Sequence, residues 1–329
     1  MSWLVRVGLI VLAMAWGGCT SAPPPPTPPG PAGNPATAGS EAPAAAGAAG
    51  APAGPTAPTG VPAPGGSRVL VIGNIPSENV LDKSSRYVPL CRYLGERIGA
   101  TVRFKFEPDY DTIVKGMKKR EYDFVMPGSL GYVKGQPAGY RAILAPVSRA
   151  PFYQGSIITR TDSGIATLSA LAGKKICFCD KGSTSGYLYP MVLLREHGLV
   201  AGRDFTPGFV KGHDNVALNV FLRQYDAGAC YDGAHREAFK TEPEKAAQLQ
   251  VIALTDRIYN SPLAARDDLD PALVASFVAT FRGLASSPEG LEVLNVLGTN
   301  LTGYVEVVDS DYDGVRKMLQ YELAQEEKK

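Results

Sequence analysis

From Arg68 onward, short runs of β-favouring residues alternate with segments of helical periodicity, which confines the chain to an open α/β sheet architecture. "RVLVIGNIP" reads as a strand ending in a loop, and "DKSSRYVPLCRYLGERIG" sets Val88, Leu90, Cys91, Leu94 and Ile98 at helical intervals before a stop at Gly99. "TVRFKFEP" alternates as a strand, "DYDTIVKGMKKR" is a short helix capped by Asp109 or Asp111, and "YDFVMPGS" is a third strand. A second unit repeats the pattern. "FYQGSIITR" is a strand, "TLSALAGKKICFC" gives helix then strand, "SGYLYPMVLLREHG" is a helix, and "VIALTDRIYNSPLAARDDL" reads as a strand leading back. Helices such as "PALVASFVATFRGLAS" and "YDGVRKMLQYELAQEE" close the chain. The roughly 260 residues involved are enough for two lobes of ordinary domain size. Ligands of such sheets bind beyond the C-terminal ends of the strands.

What precedes Arg68 reads as targeting and tether. In "MSWLVRVGLIVLAMAWGGC" a basic Arg6 leads into the apolar stretch Val7 to Trp16, too short for a bilayer span and flanked as a secretory signal. Cys19 after Gly17-Gly18 resembles the lipidation site of bacterial lipoproteins, although Trp16 departs from the small aliphatic residue usual there. The alternative is ordinary cleavage with a free Cys19. Between Thr20 and Gly66 lie fourteen of the chain's 27 prolines and one charge, Glu41, a composition that excludes a packed core. If extended, such a tether reaches on the order of 100 Å. The expected division is therefore 1–19 signal, 20–66 tether, 67–157 with 260–329 as one lobe, and 158–259 as the other.

The net charge of +1 and the lack of any basic stripe argue against nucleic acid as a partner. Cys91, Cys177, Cys179 and Cys230 remain beside Cys19. Cys177 and Cys179 share one face of a strand. A Cys179–Cys230 disulfide and a set of buried thiols both fit an exported protein. No paired C-x-x-C spacing is present, so no metal site is expected.

The stretch "DKGSTSGYLYP" carries the chemistry. Ser183, Thr184 and Ser185 stand where a strand hands over to a helix. There, the first backbone N–H groups lack intrahelical partners and the helix dipole favours an anion. One hydroxyl suffices for a cap. Three between glycines point to a ligand with several oxygens. A catalytic reading also exists: Gly182 to Gly186 mimics a nucleophile elbow centred on Thr184, with a base to be drawn from His197, His213 or His235, the chain's three histidines.

Taken together, "GNIPSENV", "PDYDTIVKGM", "YDFVMPGSLGYV", "FYQGSIITRTDSGI", "KGSTSGYLYP", "GHDNVALNVF" and "NSPLAARDDL" resemble, in that order, the phosphate/phosphite/phosphonate-binding proteins of ABC transporters. The resemblance runs from Arg68 to about Leu319. It implies a type II periplasmic-binding-protein fold, with two α/β lobes joined by two crossing strands that hinge near Ile157–Thr159 and Thr255–Pro262. It implies oxyanion ligands at Ser183, Thr184, Ser185, His213, Tyr110 and Tyr153; Ser129 and Ser77 are further candidates at strand ends. His213 would add positive charge when protonated, while His197 and His235 are expected to face solvent. Relatives that bind aminoalkyl phosphonates carry acids at positions falling on Gly233 and Ser261, with Asp232 one residue away, so a smaller anion is favoured here.

The resulting expectation is a monomeric, periplasmic-side solute-binding lipoprotein, not an enzyme, with no cofactor and an ABC permease as partner. Ligand sensing through a membrane receptor, or arsenite capture by thiols, is the alternative.

Overall fold

The computed structural model of the protein describes residues 68–75, 80–148, 150–298 and 300–327. The expected signal segment with Cys19, the tether and Ser77 lie outside these residues.

The first half opens with β1 (Val69–Asn74), which buries Leu70 and Ile72, and α1 (Val80–Ile98), which packs Leu90 and Leu94 on the same core. β2 (Thr101–Phe106) pairs parallel to β1. α2 (Tyr110–Lys118) begins where the Asp109 carboxylate accepts from the Thr112 N–H, the cap that the sequence placed at Asp109 or Asp111. β3 (Phe124–Met126) shows the period of two. Phe124 and Met126 enter the core beneath α1, whereas Val125 enters a second core on the other face with Ile113, Met117 and Tyr132. α3 (Ser129–Gly135) and β4 (Tyr140–Val147) complete this run.

The chain then crosses to β5 (Phe152–Arg160), β6 (Lys175–Phe178), α4 (Tyr189–Glu196), β7 (Thr206–Phe209), α5 (His213–Phe221), β8 (Ala227–Tyr231), α6 (Ala234–Ala238), α7 (Pro243–Ala246) and β9 (Leu249–Tyr259). It returns through β10 (Leu263–Arg266), α8 (Pro271–Arg282), α9 (Pro288–Leu297), β11 (Gly303–Glu306) and α10 (Asp313–Glu326). Two sheets result, with strand orders β11-β4-β10-β3-β1-β2 and β7-β6-β8-β5-β9. Each has buried apolar clusters on both faces, as a sheet sandwiched by helices requires.

Two expectations need correction. "TLSALAG" holds only a 3₁₀ turn at Leu168–Leu171 in place of a helix. Ile157–Thr159 is not a crossing. These residues are fully buried in mid-β5 and paired to β8 on one side and β9 on the other. The expected boundary at 157/158 thus falls inside a strand, and Thr255 to Tyr259 likewise still belong to β9. The chain changes sheets at 148–151 and 260–262. A β-favouring run announces a strand but not the sheet it joins, and β5 joins the second over its whole length. Among the described residues no helix is long and apolar enough to cross a membrane.

Candidate functional site

The loop after β6 is folded by its own side chains. The Asp180 carboxylate accepts from the Gly182 N–H at 2.7 Å, and the Ser183 N–H reaches back to the Asp180 carbonyl at 2.9 Å. Ser183 then caps the following turn, its Oγ accepting from the Gly186 N–H at 3.0 Å. That turn, Thr184–Leu188, is a π turn leading into α4. Pro190 accounts for part of its shape: without an N–H it cannot bond the Gly186 carbonyl, which instead accepts from the Cys179 N–H. Gly182 lies against Tyr110 of the first half with no room for a side chain. A Cβ there would lie 2.3 Å from the Cβ of Tyr110 in the first half.

Behind this contact is a cavity of about 150 Å³. The second half lines it with Tyr153, Ser183, Thr184, Ser185, His213 and Tyr231, and the first half with Ile75, Tyr110 and Gly128; Ser261 comes from the returning connection. Among the described residues no Asp, Glu, Lys or Arg lines it. Three hydroxyls share one arrangement. The Ser183 oxygen accepts from the Gly186 N–H, the Thr184 oxygen from the Leu130 N–H at 2.8 Å across the halves, and the Ser261 oxygen from the Gly128 N–H at 3.0 Å. Each hydroxyl that accepts from an amide is polarised as a donor; Ser183 is also bonded to the Tyr110 hydroxyl, while the hydrogens of Thr184 and Ser261 remain to be given elsewhere.

Gly128 reaches its donating position at φ +75°, a conformation that favours glycine. Burial pushes the Tyr110 and Tyr153 hydroxyls above the usual phenol range, even though Ser183 bonds the first and Ser185 and Ser129 bond the second. Both remain neutral donors. His213 opens α5, and its Nδ1 accepts from the Tyr231 N–H at 3.3 Å, which puts the hydrogen of a neutral ring on Nε2. Among its described residues the assembly offers many donors and no fixed charge, a chemistry suited to a small oxyanion.

The family model for "ABC transporter, phosphonate, periplasmic substrate-binding protein" matches residues 72–312. The chain belongs to that family. The phosphate-import protein PhnD of Mycolicibacterium smegmatis is 33% identical over 277 residues, covering 77% of this chain and 86% of that relative. The phosphonates-binding periplasmic protein of Escherichia coli is 27% identical over 239 residues, 70% of each chain. Among solved structures, PhnD1 of Prochlorococcus marinus in complex with methylphosphonate superposes with a TM-score of 0.71 at 18% identity, covering 77% of this chain and 98% of that one. A binding protein of a Pseudomonas aeruginosa phosphonate transporter gives 0.71 at 24% identity, covering 78% and 86%. The fold is the type II periplasmic-binding-protein fold, and the family is one of exported binding components of transporters, not of enzymes.

Within this family member, six of the seven expected ligand residues meet in the cavity: Tyr110, Tyr153, Ser183, Thr184, Ser185 and His213. Ser129 does not line it. Its hydroxyl donates to the Tyr259 carbonyl at 2.7 Å and stands one step back, bonded to Tyr153. Ile75, Gly128 and Tyr231 went unnoticed in the sequence, and Ser261 was singled out only for the acid it lacks. Asp232 is well exposed and pairs with Arg236 at 3.8 Å, outside the cavity lining.

One further correction, for His235, and one choice between open alternatives, for the cysteines, concern titrating groups. His235 is buried, not solvent-facing; its Nδ1 lacks a hydrogen-bond partner, and desolvation, then Arg236, lowers its pKa. Cys91, Cys177, Cys179 and Cys230 are free thiols. Burial drives those of Cys179 and Cys230 up to about 12 and that of Cys177 higher still, which leaves them as inert core groups. Among the described residues no three His, Cys, Asp or Glu side chains group to hold a metal ion.

Proposed function

We propose that the chain captures phosphate, phosphite or a simple phosphonate between two lobes and passes it to an ABC permease. The lobes are the two sheets with their helices, 69–147 with 263–326 and 152–259, closing about the connections at 148–151 and 260–262. Tyr110, Tyr153, Ser183, Thr184, Ser185 and His213 donate to the anion, and Ser261 joins them. The carrying observation is the set of three hydroxyls whose oxygens already accept from backbone amides, two of those amides belonging to the first half. A ligand entering there meets the hydrogens of Thr184 and Ser261 rather than their lone pairs. Ile75, the only aliphatic side chain among the described lining residues, suits a hydrogen or methyl substituent on phosphorus.

Calorimetric titration of the chain with phosphate, phosphite, methylphosphonate, sulfate and 2-aminoethylphosphonate tests this reading. Tight one-to-one binding of one of the first three is expected. The aminophosphonate should bind more weakly than methylphosphonate, because no carboxylate of the described lining faces its ammonium. Silence across the panel from folded protein defeats the proposal. Anchoring through Cys19 belongs to the same reading: Cys19→Ser should move the protein from the membrane fraction to the soluble fraction of a bacterial host, and unchanged fractionation would remove the anchor.

A further inference from the structure

The two strand connections are not the only ties between the halves. α10 packs on α3 in the first half, and on α4 and the Thr184–Leu188 turn in the second. Its entry is rooted in the first half. Tyr312 is fully buried in the core with Tyr132, and the Tyr132 hydroxyl donates to Asp309 at 2.7 Å. Farther along, Val315, Met318 and Leu319 join a cluster with Leu130 of the first half and Leu188, Tyr189 and Ile258 of the second. One turn on, Glu322 receives Arg195 of α4 in a two-pronged ion pair at 2.8 and 3.2 Å, with the side chains only 6% and 11% exposed. Such a pair fixes direction as well as contact.

All three ties meet at one residue. The Asn260 side-chain amide donates to the Pro146 carbonyl at 2.7 Å and to the Ala150 carbonyl at 3.3 Å, which binds the outgoing connection. Its backbone N–H donates to the Pro151 carbonyl at 2.9 Å, and its carbonyl accepts from the Tyr312 hydroxyl at 2.9 Å, which binds the root of α10. We propose that α10 is a third connection between the halves, that Asn260 joins all three into one pivot, and that the grip of Arg195 on Glu322 sets how firmly the cavity stays shut. Arg195, Glu322 and Asn260 are thus positioning residues. They act through the cluster that holds Leu130 and Leu188: Tyr153, which lines the cavity, packs against it, and the Leu130 N–H holds the Thr184 hydroxyl of the lining.

The test reads the halves directly. Spin labels at Asp111→Cys and Arg203→Cys, both well exposed and one in each half, report the distance between them in the full chain with Cys91→Ser. Glu322→Gln and, separately, Asn260→Asp should broaden and lengthen the ligand-free distance distribution. Each should also weaken binding of phosphate, phosphite or methylphosphonate, whichever the unaltered chain takes, by about tenfold while far-ultraviolet dichroism is retained. A helix that merely adds stability would lower the melting temperature and leave the distances alone. Should Glu322→Gln fail to fold, the double substitution Arg195→Met with Glu322→Met leaves no unpaired buried charge and carries the same expectation. Native distances and affinity in these folded variants overturn the proposal. The binding arm rests on the anion-capture reading. If the unaltered chain binds none of the probes, that reading fails, while the distances still decide the pivot.

Discussion

Thr184 has two hydrogen-bonding duties, accepting from the Leu130 N–H across the halves and holding a hydrogen for the ligand. Thr184→Val keeps the volume, removes that donor and leaves the Leu130 N–H unsatisfied in the closed form. A hydrogen bond to a charged group contributes about 1.5–3 kcal/mol, so anion affinity should fall roughly ten- to a hundredfold with the fold unchanged. Calorimetry with parallel circular dichroism checks it, and an unaltered affinity would place the site elsewhere. His235 offers a test of stability rather than binding. Its pKa is lowered by burial from an ordinary value near 6.5, so the unfolded chain takes up a proton that the folded chain resists. Its contribution is fully present above about pH 6.5 and is lost as the pH falls toward its lower folded pKa. The melting temperature of the native chain should therefore drop more between pH 7 and 5 than that of His235→Phe. Parallel pH profiles would show that the ring is charged in the fold. The burial of this residue was not legible in the sequence, because α6 is only five residues long and too short to display a periodicity.

At the scale of elements, the alternation of strands and helices was readable because each run carries its own period. The cap at Asp109 and the hydroxyl triplet were readable because capping is local. What escaped came from distant pairings. Ser261 and Gly128 meet only because the returning connection passes the start of α3, and nothing adjacent to either residue foretells it. Ser129 has the right residue type at a strand end, but its hydrogen goes to the Tyr259 carbonyl. The π turn before α4 was read simply as helix. Part of its shape is nevertheless written in the sequence as Pro190, whose missing N–H frees the Gly186 carbonyl for Cys179. Pro190→Ala would supply that N–H and let an ordinary helical turn compete for the carbonyl. The hydroxyls of residues 183–185 would then lose their spacing. Anion affinity should fall by about tenfold or more, while the melting temperature changes by only a few degrees, since a proline-to-alanine exchange in the first turn of a helix is nearly neutral. Paired calorimetry and thermal melts decide it: full affinity would mean that the turn owes its shape to something other than the proline.

For the molecule as a whole, a net charge of +1 and a cavity without a charged side chain among its described lining set the range over which an anion is felt. Long-range attraction from a basic surface would be screened, since the Debye length falls from about 10 Å at 0.1 M salt to about 3 Å at 1 M. Hydrogen bonds in a closed cavity are made at contact distance and are screened far less. Lys181 and Lys211 stand two residues before Ser183 and His213 in sequence, but the first lies over the Phe209 ring at 5.7 Å and the second adds to the Thr112 hydrogen bonds that hold the Asp109 carboxyl below the usual range. Neither belongs to the lining. The affinity for the anion that the chain accepts should therefore change by less than about threefold between 0.05 and 0.5 M sodium chloride. A loss of tenfold or more over that range would show that these lysines hold the anion after all, and Lys181→Gln and Lys211→Gln would then abolish the salt dependence one charge at a time.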